Sequence, residues 1–135
     1  MPSSVTLIRS AALSDVAQYA YAATAPKEAR LIFLAGACPL TLDGEIASVG
    51  DYAGQAAVCI ETMTTALHAA GATITDVIST RVLVASSRRE DLVSAWEVVR
   101  AAFGDHDVPS TLMGVTVLGY PDQLVEIEAI AAVLD

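Results

Sequence analysis

Glu126 and Glu128 stand two residues apart in Val125-Glu126-Ile127-Glu128-Ala129. Strand side chains alternate sides at ~3.3 Å per residue, so both carboxylates share one face ~7 Å apart, opposite Val125 and Ile127. On such a face Glu126 can pass protons or hold a water for attack. It can equally be an interface acid satisfied by backbone N–H groups or by a neighbour's cation. Arg81, within Val77 to Val84, shares the parity of Ser79 and Leu83 and opposes Thr80, Val82 and Val84, which read as the helix-facing core set. It is a candidate anion clamp for a carboxylate or carbonyl oxygen, or a partner that neutralises Glu126 or Glu128 across an interface. Cys38 and Cys59 have no metal-ligand spacing and no disulfide framework, so both read as reduced, packed thiols. Cys38 is a candidate to line a cleft mouth, and nucleophilic use of its thiol has no histidine nearby in sequence to support it.

His68 falls on an outer helix face and His106 in the polar loop Gly104-Asp105-His106-Asp107, where both are expected to be solvated. G-x-S-x-G, G-x-G-x-x-G and Walker sequences are absent, so neither an organic cofactor nor a metal is expected.

These side chains need a scaffold, and the pattern supplies one. Val5 to Ile8, Tyr21 to Thr24 and Leu31 to Ala35 read as strands, the last ending at Gly36 and Pro39. Leu42-Asp43-Gly44-Glu45 carries the Asp-Gly pair of a turn with positive φ. Asp51 to Ala70 reads as a helix with Ala56, Cys59, Ile60, Met63, Leu67 and Ala70 on one stripe, and with Gln55, Thr62, Thr65 and His68 mostly turned away from it. Gly71 stops it. After the strand Val77 to Ala85, Ser87 and Glu90 have capping-box spacing, opening a helix whose Leu92, Trp96, Val99 and Phe103 share a face. Two strands follow between Pro109 and Val133. The order is βββαβαββ, an α+β single domain over residues 1–135 with both helices on one face of a mixed sheet.

An apolar fraction of 54% against only 17% charged residues leaves more apolar surface than a lone small domain favours, so part of it is expected to lie between subunits. A net charge of −9, with Arg88-Arg89 the only adjacent cations, argues against nucleic acid as a partner. No apolar run approaches the ~20 residues of a membrane span. The N-terminus lacks a secretory plan, and cytoplasmic residence is the simple reading.

Val125-Glu126-Ile127-Glu128-Ala129-Ile130-Ala131 resembles the terminal I/V-E-I-E-A-x-A strand of the Rid (YjgF, reactive intermediate deaminase) family. The likeness continues in Gln18-Tyr19-Ala20-Tyr21-Ala22 for P-Y-S-x-A, in Ile32 to Leu40 for V-F-V-S-G-Q-x-P-L, and in Val77 to Val84 for V-x-K-T-x-V-x-V. The resemblance implies a YjgF-like (chorismate mutase-like) fold assembled as a homotrimer, sheets inside and helices outside, with a small-molecule cleft at each subunit boundary. It assigns Glu126 to orienting the attacking water in imine hydrolysis. It gives Tyr19 to the cleft as a hydroxyl cap, and puts backbone near Met113 against the imine nitrogen. Ala35, Gly36 and Cys38 line the cleft in the same comparison. The family's binding serine falls on Ala35, its helix asparagine on Val93, and the substrate-binding arginine of catalytic members on Thr111, whose hydroxyl suits a smaller or neutral ligand. Two functions follow: a hydrolase of imines, enamines or related carbonyl compounds, or a non-catalytic small-molecule-binding or structural protein on the same scaffold.

Overall fold

A computed structural model describes residues 3–135. Its elements are β1 (Thr6–Ile8), β2 (Ala22–Thr24), β3 (Arg30–Phe33), α1 (Tyr52–Ala69), β4 (Val77–Val84), α2 (Arg89–Phe103), β5 (Ser110–Gly114) and β6 (Val125–Val133), with a short 3-10 turn at Ile74–Asp76. β1 and β2 form their own antiparallel pair. The main sheet is mixed, in the order β3-β6-β4-β5, with β4 and β5 parallel and the other pairings antiparallel.

Alternation decides which face is covered. Val125, Ile127, Ala129 and Ala131 of β6 and Val77, Val82 and Val84 of β4 are buried, and α1 packs on β6 beside α2. Met63 and Leu67 of α1 are buried fully, and each contributes roughly 1.5–3 kcal/mol of transfer free energy. Asp51 caps α1 by accepting from the Gly54 amide at 2.9 Å, and Gly71 ends it with φ +84°. Among the described residues no helix covers the opposite face. Leu31 and Phe33 lie bare on it, 53% and 70% exposed.

Four local expectations are corrected. Gln55 does not face outward: it is fully buried, because its amide donates to Asp122 O at 2.9 Å while its carbonyl accepts from Leu124 N at 2.7 Å. His106 is half-buried, with Nε2 2.8 Å from the Val77 carbonyl. The Ser87/Glu90 capping box does not form. Arg88 occupies the N-cap without a side-chain capping bond, and Ser86 instead accepts from the Arg88 amide and donates to Asp91. β3 ends at Phe33 rather than Ala35. Between the pairs Phe33/Ile130 and Ala37/Ile127 the chain advances four residues against three on β6, so one extra residue bulges out around Ala35 and Gly36.

Candidate functional site

That bulge brings Gly36 under β6. A side-chain carbon on Gly36 would stand 2.4 Å from Glu126 Oε2, so only glycine lets the carboxylate lie here. Glu126 points to the helix-free face by strand parity and is partly buried. Its Oε1 accepts from the Cys38 thiol at 3.2 Å and from the Gln123 amide at 3.3 Å. Cys38 is fixed in turn, since its carbonyl accepts from the Thr62 hydroxyl of α1 at 3.2 Å. Burial first, then the hydrogen bond and charge of Glu126, push the Cys38 thiol up to about 11, with Gln123 acting in the opposite direction. At neutral pH Cys38 is therefore a hydrogen-bond donor, not a thiolate nucleophile. Burial also pushes Cys59 up; its thiol lies 3.4 Å from Val125 O.

A second group lies along the same face. Thr111, Arg81 and Glu128 are register partners across β5, β4 and β6. Arg81 Nε donates to Glu128 Oε1 at 2.6 Å, so the cation is paired within its own chain rather than across an interface. Tyr19, Arg81 and Thr111 line a shallow depression of about 360 Å³ together with Ser79 and Ser110. Tyr19 is steadied edge-on by Trp96 and Tyr21, ring centres 6.1 and 6.2 Å away, and Trp96 donates to Gln18 at 2.8 Å.

The expected residues thus fall into two groups. Gly36, Cys38 and Glu126 are in contact, with Ala35 on the bulge beside them. Tyr19, Arg81 and Thr111 share the depression. Met113 sits one row along from Thr111, opposite Leu83, which in turn stands opposite Glu126. Sequence reasoning missed Gln123, which is 4% exposed and sits in an irregular loop with no periodicity to mark it. Among the described residues no cluster of three or more His, Cys, Asp or Glu could hold a metal, and no helix is long and apolar enough to cross a membrane.

A mixed sheet with two helices on one face and acids on the bare face defines an α+β protein of the YjgF-like class. The family model described as Endoribonuclease L-PSP matches residues 10–133, and the chain belongs to that family, which includes the Rid and YjgF proteins. Among solved structures it is similar to a YjgF/YER057c/UK114 family member from Mycobacterium tuberculosis, at 32% identity, covering 96% of this chain and 100% of that one, with a TM-score of 0.64. The Rid-family protein YyfB from Yersinia pestis gives 22% identity, coverage of 96% and 99%, and a TM-score of 0.86. TdcF from E. coli, solved with bound serine, gives 25% identity, coverage of 96% and 99%, and a TM-score of 0.67. No curated protein matches.

Proposed function

We propose that this chain is a small-molecule-binding Rid-family protein, trimeric and cytoplasmic, that hydrolyses a small imine, enamine or related carbonyl compound in clefts between its subunits. The observation that carries the reading is Glu126, anchored at one oxygen and seated over Gly36 on the helix-free face. In this chemistry Glu126 orients a water and takes its proton as the oxygen bonds to the C=N carbon. Glu126 returns that proton to the nitrogen, giving a neutral carbinolamine. Its C–N bond then breaks as Glu126 passes the hydroxyl proton to the departing nitrogen, so imine plus water balances to a carbonyl compound and an amine with the carboxylate restored. Backbone at Met113 holds the imine nitrogen, and Tyr19 and Thr111 offer hydroxyls to the rest of the ligand. The bare apolar strip of Leu31 and Phe33 supports burial against further copies of the chain.

A second reading, a binding protein without turnover, is favoured by a separate observation. Thr111 stands where the family resemblance expects an arginine, and the nearest cation across the strands, Arg81, is engaged by Glu128. Freshly generated imines separate the two. Glu126→Ala should abolish their turnover with the assembly intact. Turnover that survives the substitution removes Glu126 from the mechanism, and a parent that binds imines without converting them leaves the second reading.

A further inference from the structure

The two oxygens of Glu126 are not equivalent. Both donors, the Cys38 thiol and the Gln123 amide, reach Oε1. Among the described residues no donor reaches Oε2, yet no buried side-chain oxygen there lacks a partner, so Oε2 is open to solvent rather than sealed. It occupies the place that a side chain at position 36 would fill, packed against the Gly36 backbone. We infer that Gln123 is a positioning residue that ties down Oε1 and so presents Oε2 as the oxygen that receives a hydrogen-bond donor, a water or a ligand N–H or O–H. This assignment of the working oxygen rests on the proposed use of Glu126.

Gln123 is built for the task. It is 4% exposed, and every polar atom of its amide is engaged: Oε1 accepts from the Tyr120 amide at 3.1 Å, while Nε2 donates to Val125 O at 3.1 Å and to Glu126 Oε1. The loop carrying it is pinned from beneath by Gln55, which holds Asp122 and Leu124 on either side of it. Asp122 itself has φ +66°, a left-handed conformation that this pair of bonds holds in place. The chain therefore runs from a buried helix residue through a constrained turn to the carboxylate. A single rotamer of Glu126 results, with one oxygen committed and the other free.

A purely structural Gln123 would bond only to Tyr120 and Val125, and neither bond involves Glu126. A hydrogen bond to a carboxylate is among the stronger ones, and it is lost when that side chain is removed.

The test measures urea unfolding at pH 7 of the parent and of Gln123→Met, each with Glu126 in place and in a Glu126→Ala background. The expected result is a midpoint lowered by about 1 M where Glu126 is present and by about half that or less where it is absent. An effect of equal size in both backgrounds overturns the inference. Where the parent hydrolyses imines, Gln123→Met should lower kcat about tenfold and leave KM within about twofold. A parent without turnover removes the proposed function but leaves the urea measurement to decide the role of Gln123.

Discussion

Arg81 on β4 stands directly opposite Glu128 on β6, with Nε 2.6 Å from Oε1, so a cation on the helix-free face is already engaged by its own chain. Both side chains remain substantially exposed, at 57% and 40%, and such pairs contribute about 0–1 kcal/mol to stability. The pair is therefore separable. Glu128→Gln should free the guanidinium and tighten binding of small carboxylates, whereas Arg81→Met should weaken it at least about tenfold, or ~1.4 kcal/mol. Calorimetric titration reads both. If the parent binds no carboxylate and Glu128→Gln does not create binding, Arg81 is no clamp.

Leu31 and Phe33 make the bare face apolar at its β3 edge. Phe33→Glu should convert the proposed trimer into single chains, as read by light scattering, with the far-ultraviolet dichroism unchanged. A parent that is already a single chain in solution defeats the proposed intersubunit cleft.

Gln55 satisfies backbone groups on two sides of the 122–124 turn. Gln55→Leu keeps the volume and deletes the bonds, and leaving the Leu124 amide unpaired should cost about 1–3 kcal/mol. Urea unfolding gives the loss, and hydrogen exchange at the Leu124 amide should quicken. Slow, unchanged exchange would show that the turn holds itself.

The two thiols predict an alkaline weakness. Cys38 is pushed up to about 11 and Cys59 is pushed up too, in both cases chiefly by burial. An unfolded thiol loses its proton near ~8.5, so above that pH the unfolded chain holds fewer protons than the folded one. The stability these thiols contribute is complete below that value and falls as pH rises toward 11. The urea midpoint should drop across this window, and Cys38→Ser should flatten part of the drop. A flat profile in the parent would exclude the buried-thiol linkage.

Much of the architecture was legible because it is local. Alternation in Val125 to Val133 and in Val77 to Val84 put Glu126, Glu128 and Arg81 on one face, and burial follows that alternation from Ser79 onward in β4 and as far as Ala131 in β6, failing at Val77, where the register shifts, and at Ala132. The stripe through Cys59, Met63 and Leu67 found the buried side of α1. Gln55 escaped because helical periodicity sorts residues by polarity, and a glutamine whose amide satisfies two backbone groups can be buried as fully as a leucine. The α2 cap was misplaced because Ser86, one residue earlier than Ser87, reached both the Arg88 amide and the Asp91 carboxylate.

By itself the sequence determined the element order, the two-faced sheet and the presence of an acid on its open side, since these follow from side-chain periods of 2 and 3.6 residues. Tertiary structure decided what holds that acid. Cys38 and Glu126 meet across 88 positions of chain, and Gln123 and Gln55 reach their partners from a loop and a helix whose spacing carries no period. Only the bulge at Ala35 and Gly36, a one-residue mismatch between two strands, decides that the carboxylate lies over open backbone with one oxygen tied and the other free.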